Sequence, residues 1–180
     1  MMYAIAVFVV LAEIVCLAVT FRRIGFTMAK YYTVLSNCMA LVSSALLLLA
    51  GAGPFVTALR YLSVCMMTMT FLVVVFVLVP MSKDVKGMLF HDTELFYHTV
   101  CPILTALSYV LWEARSNAWL LPVLVTLVYG VIMMYLNYIR KVDGPYPFLK
   151  VHDQSPRATV IWILVMFAII GGIAAAYLRR

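Results

Sequence analysis

Long apolar stretches alternate with short polar segments along the whole chain. Each of the six stretches is about 20 residues long, which is enough to cross a bilayer as a helix. A backbone that faces lipid has to satisfy its own hydrogen bonds, which favours helices over other structures. The pattern therefore predicts an all-α integral membrane bundle of six transmembrane helices. We number the stretches spans 1 to 6: Tyr3–Thr20, Tyr31–Ala50, Leu59–Met81, Thr93–Trp112, Ala118–Tyr138 and Ala158–Tyr177.

The composition supports the same fold class and excludes several functions. Of the 180 residues, 66% are hydrophobic and 11% are charged, whereas soluble domains have about 45–50% and about 25%. Too few polar residues are present to cover a soluble enzyme or a nucleic-acid-binding domain. The net charge of +6 lies beside the apolar stretches, as is typical of membrane-flanking charge. We expect a single transmembrane domain over residues 1–180, with membrane lipids and not nucleic acid as its surroundings.

The basic residues are distributed unevenly between the two sides of the predicted bundle. Three connections, those between spans 1 and 2, 3 and 4, and 5 and 6, lie on one side, which we call the basic-loop side. They carry nine of the 13 basic residues, namely Arg22, Arg23, Lys30, Lys83, Lys86, Arg140, Lys141, Lys150 and Arg157. Basic loops generally remain in the cytoplasm. The bias predicts a multi-pass protein whose three basic loops are cytoplasmic.

Ionisable and polar groups within the spans gather near the basic-loop side. Glu13 lies seven residues before Thr20, and His98 lies seven residues after His91, so each is roughly 10 Å inside the membrane at 1.5 Å per residue. Thr33 follows Lys30 by three residues and lies roughly 5 Å inside. Ionisable groups are costly within a bilayer and usually have a function there. The three residues lie at comparable depths in the same half of the bilayer, on three different helices. This placement predicts a polar cavity that opens to the basic-loop side.

Further polar side chains extend this set. Ser36 and Asn37 share a helical face with Thr33, Asn137 ends span 5, and Tyr146 lies in the last loop. Each has a structural alternative, because a threonine often bonds the preceding turn and an amide can join two helices. His98 could be a satisfied core histidine. Independent structural residues have no reason to share one depth, which favours a functional site.

The residue types suit nucleophilic catalysis. A hydroxyl needs a base within hydrogen-bond reach, so Thr33 is the candidate nucleophile and His98 the candidate base. Asn37 and Ser36 are expected to support the developing oxyanion or to orient the hydroxyl. Glu13 is expected to orient the imidazolium, as the carboxylate does in a triad. The substrate would be amphiphilic, with its ester near the interface and its chain among apolar side chains.

Two other functions remain open from the residues alone. Zinc-dependent hydrolysis has candidate ligands but no compact H-x-x-x-H spacing; they are His91, Asp92, His98 and His152. A small transporter or lipid-binding protein without chemistry would use the polar residues to line a path or to join helices.

Three short motifs, in this order, resemble a known family. They are Lys30-Tyr31-Tyr32-Thr33-Val34-Leu35-Ser36-Asn37, then Tyr97-His98-Thr99 followed by Pro102, then Tyr146-Pro147-Phe148-Leu149. The chain resembles the androgen-induced-gene family of multi-span membrane threonine hydrolases, which includes androgen-dependent regulators of tissue factor pathway inhibitor.

The resemblance implies a function and a site. It implies hydrolysis of lipid-like esters, such as fatty acid esters of hydroxy fatty acids, without a metal or other cofactor. Thr33 matches the family's nucleophile and His98 its essential histidine. We expect Tyr146, Phe148 and Asn137 to contact the substrate. The short loops resemble a prokaryotic relative in a bacterial cell membrane, and the oligomeric state stays open.

Overall fold

The computed structural model describes residues 1–179, which form helices and short connections with no strand. Six helical stretches are long and apolar enough to cross a membrane. The predicted six-helix transmembrane bundle is therefore confirmed, and the protein is an integral, multi-pass membrane protein. The six stretches are Met2–Lys30, Tyr32–Ala50, Pro54–Ser82, Asp92–Trp112, Leu120–Tyr138 and Pro156–Arg179.

Within residues 1–179, nine α-helices make up these spans and one of the loops. They are α1 (Met2–Ile24), α2 (Tyr32–Ala50), α3 (Pro54–Val73), α4 (Val79–Ser82), α5 (Val85–Phe90), α6 (Asp92–Leu95), α7 (Cys101–Trp112), α8 (Leu120–Tyr138) and α9 (Pro156–Arg179). Span 1 ends in a 3-10 helix over Gly25–Lys30, and Pro147–Leu149 forms another in the last loop. Two π-helical segments, Val74–Leu78 and Phe96–Val100, join α3 to α4 and α6 to α7. Helix α5 lies in the loop between spans 3 and 4.

Two span boundaries differ from the sequence prediction by more than two residues. Helix α1 continues past Thr20 to Ile24, because the arginines in its last turn favour the negative end of a helix. Helix α3 begins at Pro54 and not at Leu59. Proline fits the first turn of a helix, where the missing N–H would have no partner, so Pro54 starts the span.

Helix α3 is the centre of the bundle. It packs against α2, α7, α8 and α9. In the most apolar part of the span that contains α3, 56% of the residues are buried, against 17% in the span formed by α9. Helices α1 and α2 pack closely on the other flank. Span 6 consequently presents most of its surface to lipid, whereas α2 and α3 carry many of the buried polar side chains.

A π-helical bulge holds the backbone around His98. The N–H of Cys101 donates to the carbonyl of Phe96, five residues earlier. The next bond of this kind would need an N–H at Pro102, which proline lacks. Asn37 Nδ2 donates instead to the carbonyl of Tyr97, at 3.4 Å. Span 2 thus completes the hydrogen bonding of span 4 at a bulge, a feature that is frequent at functional sites.

The opposite end of the bundle has a buried ion pair. Both oxygens of Glu113 accept from Arg60, at 2.8 Å from Nε and 2.6 Å from Nη2. Arg60 also donates to Ser44, and Ser108 donates to Glu113. Only 2% of the arginine side chain and 5% of the glutamate side chain are exposed. This network ties α2, α3 and α7 together far from the basic-loop side.

Candidate functional site

Thr33 lies in the first turn of α2, where backbone N–H groups have no acceptor within the helix. Its N–H donates to the phenolic oxygen of Tyr146 at 3.2 Å, and its hydroxyl oxygen also lies 3.2 Å from that oxygen. Tyr31 precedes the helix in an extended conformation. Thr33 is 8% exposed, so its hydroxyl is nearly enclosed.

Ser36 and Asn37 hold the backbone of Thr33. The carbonyl of Thr33 accepts from Ser36 Oγ at 2.8 Å and from Asn37 Nδ2 at 2.7 Å. Ser36 Oγ also lies 2.9 Å from the hydroxyl of Thr70 on α3. Since the amide group of Asn37 is committed to the carbonyls of Thr33 and Tyr97, its expected donation to an oxyanion is wrong. Both side chains therefore hold the backbone of Thr33 in place.

His98 is oriented through its Nδ1 atom. This atom lies 2.6 Å from the carbonyl oxygen of Met88 on α5 and 3.1 Å from a carboxylate oxygen of Glu94. A carbonyl can only accept, so Nδ1 carries a proton, and in the neutral imidazole it is Nε2 that has the lone pair. Among residues 1–179, no group hydrogen-bonds Nε2. The imidazole is therefore arranged as a base whose free nitrogen is Nε2.

Glu13 does not orient the imidazole, contrary to the expectation from its depth. It is fully buried, and neither carboxyl oxygen has a nitrogen or oxygen hydrogen-bond partner among the described residues. The thiol of Cys101 lies beside it. Depth along a helix does not determine which neighbour a side chain faces, and Glu94 on the same helical span as His98 takes the predicted place of Glu13.

Thr33 and His98 line one cavity on the basic-loop side. The cavity encloses about 1480 Å³ of space outside the atoms, its open mouth included. No hydrogen bond joins the two side chains: Thr33 bonds Tyr146, and His98 bonds the carbonyl of Met88. Tyr146 lines the cavity as well, and the other polar side chains around it are Thr20, Tyr31, Ser82, Asp84, Glu94 and Tyr97.

A second, apolar slot meets this cavity at Thr33 and Tyr146. It encloses about 810 Å³ of space outside the atoms, and its lining is almost wholly apolar. Phe148, which was expected to contact substrate, lines the slot and stacks on Tyr146 with ring centres 5.2 Å apart. Thr33 consequently lies where a polar and an apolar compartment join.

Tyr146 is held as a neutral donor. It belongs to the loop between spans 5 and 6, and burial raises the pKa of its phenol above the ordinary value of 10.0. Because the phenolic oxygen already accepts from the N–H of Thr33, its own proton remains available to donate. The positive end of α2 lies nearby and would also stabilise an anion formed beside Thr33.

Asn137 does not contact either compartment. Its Nδ2 donates to the carbonyl of Val142 at 3.1 Å, and its Oδ1 accepts from the N–H of Val151 at 2.9 Å. The expectation that it binds substrate is therefore wrong. Asn137 instead folds the last loop back on the end of α8, which brings Tyr146 into the bundle.

The candidate metal ligands are not assembled. His91 is exposed, Asp92 pairs with Arg23, and His152 contacts the carbonyl of Tyr138 at 3.0 Å. Over residues 1–179, no three His, Cys, Asp or Glu side chains form a group that could hold a metal ion. The alternative site of His91, Asp92, His98 and His152 has no geometric basis.

The sequence analysis gave Glu94 no role, and it expected Tyr146 to contact substrate without predicting its hydrogen bond to Thr33. Glu94 lies four residues before His98, and side chains at that spacing are neighbours on a helix, so the signal was present. No comparable signal connects Tyr146 with Thr33, since 113 residues separate them. The same holds for the carbonyl of Met88, which any residue type could supply.

Comparison of the chain with protein-family models, with curated proteins and with solved structures finds no match. The geometry of the site therefore carries the functional argument.

Proposed function

We propose that the protein is an intramembrane hydrolase of lipid-like esters, with Thr33 as nucleophile and His98 as general base. The observation that carries the proposal is the position of Thr33 at the junction of two compartments, one lined by His98 and the other apolar. An ester has the same division, with a polar reacting group and a hydrocarbon chain. The motif resemblance to membrane threonine hydrolases supports the same reaction.

The proposed reaction proceeds through an acyl-threonine intermediate. Nε2 of His98 removes the hydroxyl proton of Thr33 while the oxygen attacks the ester carbonyl. The proton passes to the departing alcohol, which leaves an acyl-threonine. Water then loses a proton to the same nitrogen and attacks the acyl carbon, releasing the acid and restoring Thr33. Glu94 stabilises the imidazolium that forms in both steps, and the Tyr146 phenol donates to the carbonyl oxygen as it gains charge.

The absence of a direct Thr33–His98 hydrogen bond is compatible with this mechanism. Catalytic hydrogen bonds are often long without substrate and tighten when the substrate is bound. The side chain of Thr33 instead hydrogen-bonds Tyr146, a contact that a substrate carbonyl would replace.

Labelling with a fluorophosphonate probe, which reacts with activated hydroxyls, tests the proposal. We expect the wild-type protein to be labelled on Thr33, and Thr33→Ala and His98→Ala to lose the label. Thr27→Ala and His91→Ala are matched controls, because both side chains are exposed on the basic-loop side, and they should label like the wild type.

Equal labelling of all five proteins would contradict the proposed roles. Hydrolysis that stops on addition of a chelator and returns with zinc would favour the metal-dependent alternative. Lipid binding that needs neither Thr33 nor His98, without any hydrolysis, would favour a lipid-binding protein.

The orientation in the membrane belongs to the same proposal. The nine basic residues on one side support cytoplasmic loops in a bacterial cell membrane. A thiol reagent that cannot cross the membrane tests this on a Lys86→Cys variant in intact cells. Labelling before lysis would contradict it.

A further inference from the structure

The apolar slot beside Thr33 extends among α3, α8 and α9. Its lining includes methionines from all three helices, Met69, Met134 and Met166. Methionine is unbranched and flexible, so it adapts to ligands of irregular shape. On α8, Val131 lines the slot and is 52% exposed, so the slot reaches the lipid-facing surface.

The chemistry of the lining selects a hydrocarbon occupant. No charged side chain lines the slot. The hydroxyl groups along its walls already have partners: Thr70 bonds Ser36, Thr126 bonds Tyr32 at 2.8 Å, and Tyr129 donates to a backbone carbonyl at 2.7 Å. A polar ligand would lose its hydrogen bonds to water here without replacement, whereas a hydrocarbon chain would lose none.

Gly130 leaves part of the slot open because glycine has no side chain. It lines the slot from α8, and a Cβ atom added there would have no heavy atom within 4 Å. A larger side chain would therefore enter open space without first displacing a neighbour. Gly172 on α9 has equally free surroundings, but it is exposed and does not line the slot.

We propose that the slot binds the acyl chain of the substrate, which enters from the bilayer between α8 and α9, and that Gly130 keeps the slot open. The assignment of the chain to an ester rests on the proposed function. The chain would end at Thr33, with its carbonyl beside Tyr146 and its leaving group in the polar cavity near His98.

Photocrosslinking with a diazirine-bearing hexadecanol tests the slot separately from catalysis, because this alcohol has no ester to hydrolyse. We expect crosslinks on slot peptides of α3, α8 and α9 that excess unlabelled hexadecanol removes. Gly130→Phe should lose these crosslinks, and Gly172→Phe should keep them. Equal thermal unfolding midpoints in detergent would show that both variants are folded.

Competable crosslinks that persist in Gly130→Phe would overturn the proposal, as would crosslinks confined to lipid-facing positions outside the slot. Slot crosslinking without hydrolase labelling would refute the proposed function and leave lipid-chain binding intact. Hydrolase labelling without slot crosslinking would refute the slot alone.

Discussion

The phenolic oxygen of Tyr146 lies 3.2 Å from both the hydroxyl oxygen and the backbone nitrogen of Thr33. The two residues are 113 positions apart, so the last loop closes over the first turn of α2. The phenol accepts one hydrogen bond and retains a proton that it can donate. It is thereby the best-placed side chain to assist a reaction at Thr33.

Tyr146→Phe removes this phenol and keeps the ring that stacks on Phe148. We expect the rate of ester hydrolysis to fall by about 10²-fold, the usual effect of losing one donor to a developing oxyanion. The loss should appear in kcat more than in KM. Tyr138→Phe is the control, because Tyr138 is exposed and should retain full activity. Unchanged kcat in Tyr146→Phe would argue against the donor role.

Alkaline pH should destabilise the wild type through Tyr146. Its pKa is raised by burial above the ordinary value of 10.0, so the folded state holds the proton more strongly than the unfolded state. The corresponding stability is complete below pH 10 and is lost as the pH rises through the folded-state pKa. Thermal unfolding should therefore show the wild type and Tyr146→Phe converging above pH 10. A difference in unfolding midpoint between the two proteins that stays constant with pH would contradict this role of Tyr146.

Glu94 and Glu13 make a matched pair for testing what orients His98. Glu94 contacts Nδ1 at 3.1 Å, and we expect Glu94→Gln to lower kcat because a neutral amide stabilises the imidazolium less. Glu13 has no contact with the imidazole, so Glu13→Gln should preserve kcat. The carbonyl of Met88 still holds the ring in Glu94→Gln, which makes the expected loss partial. A larger loss in Glu13→Gln than in Glu94→Gln would reverse the assignment.

The buried pair of Arg60 and Glu113 should matter for stability and not for hydrolysis. Arg60→Ala removes the cation that donates to both oxygens of the buried Glu113 carboxylate, and breaking a buried ion pair costs about 3–5 kcal/mol. We expect a lower thermal unfolding midpoint in detergent, with kcat unchanged in the protein that remains folded. The double variant Arg60→Met, Glu113→Leu should recover most of the midpoint, because an apolar pair needs no desolvation of charge. If the double variant unfolds at a midpoint as low as that of Arg60→Ala, the expected recovery would be contradicted. Ser44 and Ser108 would then be destabilising when they lose their charged partners.

The fold was predictable because the bilayer imposes a simple rule on sequence. About 20 apolar residues must occur wherever the chain crosses, and six such stretches were visible without knowledge of their neighbours. The boundaries at Thr20 and Leu59 were missed because helix ends depend on caps and charge at single positions. The shared depth of Thr33 and His98 was likewise visible, because depth depends on distance along a helix.

The roles around those two residues could not be predicted in the same way. Asn37 shares a face with Thr33, but its amide donates to the backbone carbonyls of Thr33 and Tyr97. The Tyr97 carbonyl lacks a helical donor because Pro102 has no N–H. Asn137 and Glu13 lie at suitable depths and face other neighbours. Side-chain partners depend on the rotation of each helix and on the order in which helices pack, and neither leaves a periodic signal in one sequence.

By itself, the sequence determined the number of spans, the membrane environment and the depth at which polar groups gather, since all three follow from the energetic cost of placing polar atoms in lipid. Only the tertiary structure decided which polar groups meet. It brought Tyr146 to Thr33, Glu94 and the Met88 carbonyl to His98, and an apolar slot to the same hydroxyl. These contacts join distant parts of the chain, and the packing of the helices specifies them.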